Sequence, residues 1–485
     1  MKSILIVNLP KFNVTSPAAA VAVLGGIAKE HNYKPFDADF NIYLWKNLNH
    51  DEWQELYNWS LLLVMSTELK EKILMLWDKM IDKKMPKNCA YLCISLFSYE
   101  SLLISRLILE REKKKTNKYK IIVGGSGTSS SFADTNIPFI DWNNKSSCAD
   151  YVVTGDGESA FASILTDGKK SYNMDNLDEI PLPDYSDIDY TDYEERKIFI
   201  TGSRGCVRKC TFCNIASAWP KFKYRSPESI VAEIKKSFYD TGITTFEFTD
   251  SLINGSSSNF YKFNSLLAEE KEKHPDLKNI TYKGQSICKT RKSMPEKHFE
   301  AMYYAGCDRL DVGIESFSEP IRTDMRKKFT NEDISYYLEQ CGRWGISNIF
   351  LMLVGYPTET EKNHEENCKG LYTYQKYAHT GIIELIRFGN TMKLLEDTPI
   401  VKPELFNELG LYYDKDYEKT NFTSYWKSKL NPTNTLETRI RRRVELHKLC
   451  VKLNYPQPNT KVELTEAKEL AKTIKNTTKI SITNM

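Results

Sequence analysis

Three of the eleven cysteines in this 485-residue chain stand together as Cys206, Cys210 and Cys213, spaced Cys-x3-Cys-x2-Cys. Thiolates are soft ligands, and cysteines this close on one loop can wrap a metal centre. A structural zinc ion takes four ligands, usually as two close pairs of Cys or His. The nearest second pair is His364 with Cys368, a helical turn apart and far down the chain. Three thiolates suit a cubane [4Fe–4S] cluster instead, because full protein ligation would need four and three leave one iron open. An open iron can bind a substrate or cofactor. The remaining cysteines (Cys89, Cys93, Cys148, Cys288, Cys307, Cys341, Cys368 and Cys450) are scattered and read as small buried hydrophobes.

The trio follows Ser203, Arg204 and Gly205, directly after the apolar run Ile198 to Thr201, so it leaves the carboxyl end of a strand. That strand opens an alternating series. Further runs lie at Thr244 to Thr249, Ile280 to Gln285, Arg309 to Gly313, Asn348 to Val354 and Ile382 to Phe388, with helical stretches between them. Six such units, fewer than the eight of a closed barrel, predict a partial (β/α)6 TIM-type barrel over residues 197–390. A first series precedes it. Strand-like runs at Lys2 to Asn8, Lys34 to Asp39, Ala90 to Leu96, Lys120 to Val123 and Asp150 to Val153 alternate with helical stretches at Pro17 to His31, Asp51 to Lys84, Glu100 to Lys113 and from Glu158. This predicts a doubly wound, Rossmann-like parallel sheet over residues 1–172, whose ligands would sit outside the carboxyl ends of the strands.

Residues 173–196 interleave acidic side chains with Tyr185, Tyr190, Tyr193, Pro181 and Pro183, which reads as a linker laid over a neighbouring surface. Residues 391–485 read as mostly helical. The run Arg439, Arg441, Arg442 and Arg443 suggests a solvated helix face, with contact to an acidic or phosphate-bearing partner as the alternative. The fold class is thus α/β with a helical C-terminal region.

Composition narrows the function. Lys plus Arg total 67 against 64 for Asp plus Glu, too balanced for a general nucleic-acid binder. Apolar runs such as Leu61 to Met65 and Ile349 to Val354 have the length of core elements, so no membrane span is expected. The apolar stretch Ile4 to Val7 is too short for a signal peptide, and the thiols are expected reduced in a cytoplasmic protein.

The run from Gly202 to Cys213, Gly-Ser-Arg-Gly-Cys-Val-Arg-Lys-Cys-Thr-Phe-Cys, resembles the signature of radical S-adenosylmethionine (SAM) enzymes. Thr249-Asp250-Ser251, Gly313-Ile-Glu-Ser316 and Gly355-Tyr-Pro-Thr-Glu-Thr360 resemble later landmarks of the subgroup with an N-terminal cobalamin-binding domain. The resemblance spans about residues 1 to 400. It implies a [4Fe–4S] cluster on Cys206, Cys210 and Cys213 whose open iron chelates SAM. One electron, from a flavodoxin- or ferredoxin-type donor, would split SAM into methionine and a 5′-deoxyadenosyl radical that attacks an unknown substrate.

The resemblance also implies cofactor contacts, each beside a plainer reading. Phe212 would pack near the adenine, or be a core residue. Thr249 and Asp250 would meet the SAM ammonium, where this chain lacks the family's usual Gly-Gly-Glu; Asp250 also suits a turn or helix cap. Glu315 and Ser316 would take the ribose, or cap. Gln285 would offer a polar contact. Val354 and Gly355 would let backbone approach the adenine, or make a turn before Pro357. Thr358 and Glu359 read as a helix start. Arg225 resembles a basic residue near the SAM carboxylate.

Cobalamin is a candidate for the first domain, although the lower-ligand motif Asp-x-His-x-x-Gly is absent and only His31 and His50 fall in residues 1–170. The loops Gly124 to Ser131 and Gly155-Asp156-Gly157 offer backbone N–H groups for a polar cofactor, or simply make tight turns. The related methylthiotransferases bind a second cluster through three N-terminal cysteines. Cys89 and Cys93, about 13 Å apart along one strand, do not suit that. The expectation is therefore reductive SAM cleavage, followed by cobalamin-dependent methyl transfer or a radical rearrangement. The alternative is a non-catalytic iron–sulfur or metal-binding module that senses or docks.

Overall fold

The computed structural model describes residues 1–10, 14–57, 65–97, 99–115, 118–128, 149–395, 397–413 and 425–457. Two compact units emerge, Met1–Ile200 with Ser229–Phe246, and Thr201–Glu228 with Glu247–Met485.

The first unit carries strands β1 (Lys2–Asn8), β2 (Tyr33–Asp39), β3 (Cys89–Ser95), β4 (Lys120–Gly124) and β5 (Tyr151–Val152) in the order β2-β1-β3-β4-β5. Every paired neighbour is parallel. The apolar run in β1 is unbroken because both faces are covered. Leu5 and Val7 point into a core with Phe40, Trp77, Leu92 and Ile108. Ile4 and Ile6 point into another with Ile27, Tyr91, Cys93 and Phe161. The strand order reverses between β1 and β3, which creates a crevice outside their carboxyl ends.

His31 does not reach that edge. His31 lies just before the amino end of β2 and stacks on Tyr172, and His50 is exposed at the start of the helix His50–Tyr57. The described part of the Gly124 loop is tied to its neighbours: the Leu96 N–H donates to Gly124, and Thr128 Oγ1 donates to the carbonyls of Gly125 and Val153. Residues 129–131 of that loop, Cys148 and part of Leu61 to Met65 lie outside the described residues.

The acidic Tyr/Pro segment is fastened to this unit. The Asp184 N–H donates to the Ala22 carbonyl at 2.9 Å, Lys29 pairs with Asp184 at 2.7 Å, and the Tyr193 hydroxyl donates to Asp39 at 2.8 Å.

The larger sheet contains β6 (Ile198–Ile200), β9 (Thr245–Phe248), β10 (Thr281–Ser286), β11 (Cys307–Glu315), β12 (Ser347–Met352) and β13 (Ile383–Phe388), neighbours in chain order and open at both edges. Strands β10 to β13 pair in parallel through the helices Glu296–Ala305, Asn331–Trp344 and Glu361–His379. Thr330 and Thr360 start the latter two helices with reciprocal capping boxes, so Thr358 and Glu359 precede the helix rather than open it.

Two short antiparallel ladders were not foreseen in the sequence. Strand β7 (Ser203–Arg204) pairs with β8 (Lys223–Tyr224), and β14 (Leu411–Tyr413) pairs with β15 (Trp426–Ser428). The second gives the C-terminal region a hairpin before its long helix Leu436–Lys452. The arginine run on that helix is no solvated face. Arg439 and Arg442 are fully buried, while Arg441 stays half exposed and pairs with Glu361 and Glu445. A lone helix reads such a run as solvent-facing, but here each buried guanidinium meets groups from elsewhere in the chain.

Candidate active site

The cysteine loop is closed at its neck and held at its base. The β7–β8 ladder sets Ser203 opposite Tyr224 and Arg204 opposite Lys223, and the Arg225 N–H adds a bond to the Gly202 carbonyl at 2.8 Å. Residues 205–222 therefore form a closed loop rather than a free excursion. Beneath it, the Gly202 N–H donates to Asp250 Oδ2 at 2.8 Å, and Ser203 Oγ donates to the Leu252 carbonyl at 3.1 Å. Thr201 and Thr249 share a hydroxyl bond at 2.9 Å, and Arg225 donates to the Thr201 carbonyl at 3.0 Å. Burial pushes the Asp250 carboxyl up to about 6, opposed by hydrogen bonds from Ser203 and Gly202 and by the Arg225 charge.

The outer wall comes from the C-terminal third. Thr211 donates its N–H to the Met325 carbonyl at 3.3 Å, accepts from the Ile400 N–H at 2.9 Å, and shares a side-chain bond with the Tyr356 hydroxyl at 2.8 Å. Phe212 packs on an apolar cluster of Ile321, Met325, Tyr356, Met392, Ile400 and Trp426.

The loop gathers its three thiols. Burial pushes Cys210 up to about 11; Lys327 opposes that rise, while Cys213, Glu315 and Cys206 add to it. Burial also raises Cys213, against a backbone hydrogen bond from Ile215, with Cys206 and Glu315 adding repulsion. The Arg208 N–H points at Cys206 Sγ from 3.4 Å. Backbone N–H groups aimed at sulfur favour the thiolate, the form that binds metal. Three thiols and a carboxylate near enough to repel as anions make a site that multiple positive charges would stabilise.

Among the described residues no three His, Cys, Asp or Glu side chains converge on one ion position. In a cubane each iron takes its own thiolate, so the ligating sulfurs stand further apart than those sharing one ion, and the donor set fits the cluster. His364 pairs with Glu445 at 2.9 Å and Cys368 lies 3.9 Å from it, a separate helix–helix contact.

The predicted contact residues divide in two. Phe212, Thr249, Gln285 and Glu315 stand at carboxyl ends of strands or on the loop, and Gln285 is exposed. Glu315 closes β11 at φ +65°, where the register with β12 breaks between Gly313 and Glu315. A left-handed non-glycine residue costs roughly 1–3 kcal/mol and tends to mark a functional position. Lys327, unread in the sequence although it stands in the basic run Arg326-Lys-Lys328, bonds Glu315 Oε1 at 2.8 Å and lies 5.9 Å from the Phe212 ring.

Asp250, Ser316, Val354 and Gly355 also bond or pack within the scaffold, with Asp250 Oδ1 left buried and without a hydrogen-bond partner among the described residues. Ser316 donates to Asn367 at 2.8 Å and accepts from the Ser318 N–H at 3.1 Å. The Val354 carbonyl takes the Met392 N–H at 2.9 Å. Gly355, at φ +88°, donates to Glu359 at 2.8 Å, and a Cβ there would meet Arg439 Cγ and Cδ at 2.4 Å. The space beside this glycine is filled by an arginine stem.

Residues 200–369 match the radical SAM superfamily. They form a radical SAM domain. The radical SAM domain thus includes the cysteine loop, β9 to β12 and the Glu315–Lys327 pair. The chain is 25% identical over 249 residues to a Pyrococcus horikoshii protein named an uncharacterised methyltransferase, an alignment covering 46% of this chain and 52% of that one. It therefore spans about half the length of that relative. The structure resembles the radical S-adenosylmethionine methyltransferase TsrM of Kitasatospora setae, with TM-score 0.57 and 15% identity over 86% of this chain and 79% of that one. It also resembles the cobalamin-dependent S-adenosylmethionine radical enzyme OxsB, with TM-score 0.55 and 14% identity over 84% and 61%. At such identities the likeness is one of fold. No helix among the described residues is long and apolar enough to cross a membrane.

Proposed function

We propose that this protein is an enzyme that cleaves S-adenosylmethionine reductively at a [4Fe–4S] cluster held by Cys206, Cys210 and Cys213. The observation that carries this reading is the closed loop: its neck is tied by the β7–β8 ladder, and its three thiols stand near enough for their charges to act on one another. When bound, the cluster supplies the single electron for that cleavage. The chain supplies the rest. The β7–β8 ladder and Asp250 fix the loop, and Phe212 and the apolar wall behind it keep water from one side. Glu315, Gln285 and Thr249 are the polar groups offered to the bound cofactor, with Glu315 facing its ribose. Asp250, Ser316, Val354 and Gly355 hold the walls. An acidic one-electron donor of flavodoxin or ferredoxin type, and a reducing cytoplasm, suit a site built on free thiols.

Methyl transfer through cobalamin is the second reading. It is supported by the β2-β1-β3-β4-β5 order of the first unit and by its fold likeness to two proteins whose structures hold cobalamin. With His31 just before the amino end of β2, a corrinoid at the sheet's carboxyl edge would take no histidine from it. Cys93 lies in one core of this unit and Cys89 packs against the other, so the two do not present a joint ligand pair for a second cluster.

The test is anaerobic reconstitution with iron, sulfide and supplied cobalamin, followed by SAM and a strong reductant. Formation of 5′-deoxyadenosine supports the proposal. A fully loaded cluster that leaves SAM intact favours a sensing or docking module instead. The absorption spectrum of the same sample reports whether a corrinoid is retained.

A further inference from the structure

Lys327 is a buried cation set beside the cysteine loop. Its side chain is only 6% exposed, and its ammonium donates to the Gly313 carbonyl and to Glu315 Oε1, both at 2.8 Å. It sits 5.9 Å from the ring centroid of Phe212, the residue directly before Cys213. The fit leaves no slack: a Cβ on Gly313 would stand 2.8 Å from Glu315 Oε1 and 3.0 Å from Lys327 Nζ. Glu315 itself is held at φ +65°. An ammonium bonded to both a strand carbonyl and the strained residue two positions later accounts for how that conformation persists.

We infer that Lys327 is the counter-ion of this site: it holds Glu315 in its left-handed conformation and places a buried positive charge that makes the cluster on Cys206, Cys210 and Cys213 easier to reduce. This rests on the cluster reading above. A fixed cation favours whichever redox state carries one more negative charge. At a separation on the order of 10 Å and an effective permittivity of about 20, one unit charge shifts such a balance about tenfold. Lys327 is a positioning residue, acting through Glu315 and through its field.

The test uses the full chain, reconstituted anaerobically without SAM, as wild type, Lys327→Met, Lys327→Arg and Glu315→Gln. Iron and sulfide content establish loading, and electron paramagnetic resonance follows a redox titration. Lys327→Met should lower the reduced-to-oxidised ratio at a given potential about tenfold, a midpoint about 59 mV more negative for one electron. Lys327→Arg should stay within about twofold of wild type. Glu315→Gln removes the opposing anion and should move the midpoint the other way, so it tests the field even if Lys327→Met fails to load. A loaded Lys327→Met at the wild-type midpoint, or a Glu315→Gln midpoint that is unmoved or more negative, overturns the counter-ion role alone. A wild type that takes up no cluster overturns the proposed function, and this inference with it.

Discussion

Replacing Gly355 by alanine separates two accounts of the turn after β12. Gly355 lies at φ +88°, and a Cβ would come within 2.4 Å of Arg439 Cγ and Cδ. Arg439 cannot swing aside. It is fully buried, its guanidinium lies 3.8 Å from the Trp426 ring centroid, and it donates to the carbonyls of Trp426 and Asn434 at 3.2–3.3 Å. The left-handed conformation costs about 1–2 kcal/mol for a residue with a Cβ. Forcing a methyl into filled space adds about 1–3 kcal/mol. Gly355→Ala should therefore destabilise the fold by about 2–5 kcal/mol, measured by urea unfolding followed through tryptophan fluorescence. In an Arg439→Ala background the two contacts at 2.4 Å disappear and only the Arg439 Cβ at 3.0 Å remains, so the same substitution should cost markedly less, about 1–2 kcal/mol, a coupling expected of residues in contact. Equal costs in both backgrounds would refute the reasoning. If the glycine instead made room for a ligand, alanine would weaken SAM binding and leave the unfolding curve in place.

Other outcomes follow from the same structure. Cys206→Ala, Cys210→Ala and Cys213→Ala should each lose the cluster's visible absorption and SAM cleavage together, with far-ultraviolet circular dichroism unchanged. Arg442 and Glu359 are both fully buried and 3.6 Å apart, so Arg442→Leu should cost about 3–5 kcal/mol by leaving a buried charge unpaired. Adding Glu359→Gln should recover part of that loss in the same unfolding assay. Asp250 titrates near 6 in the folded chain against 3.8 as a free carboxyl, so the folded state holds its proton more tightly. Its stabilising contribution is complete below about pH 3.8 and lost as the pH rises through about 6. Relative to Asp250→Asn, wild type should lose about 2 kcal/mol of stability between pH 4 and pH 7.

Much of the architecture was readable because it rests on local pattern. The doubly covered run Ile4 to Val7 and its counterparts mark strands, and the cysteine spacing marks a metal-binding loop whatever surrounds it. What could not be read depends on which atoms are already partnered. Ser316 and Gly355 stand at strand ends, where a ligand contact is a natural expectation, yet Asn367 bonds the Ser316 hydroxyl and Arg439 fills the space beside Gly355; Asp250 gives one carboxylate oxygen to the Gly202 N–H, while the other has no hydrogen-bond partner among the described residues. The arginine run looked solvated because its partners are distant in sequence: Trp426 lies 13 residues from Arg439, and Glu359 lies 83 from Arg442. The β7–β8 ladder is two residues long, below the length at which alternation shows. The strain at Glu315 leaves no trace in composition.

The wall behind Phe212 and Thr211 is made in part by residues far downstream of the loop: Met392, Ile400 and Trp426. When the three thiols first emerge from the ribosome, roughly two hundred further residues must be synthesised before that wall exists. A chain cut short before Trp426 would thus present the same loop without part of that wall, and its thiols would be more open to solvent.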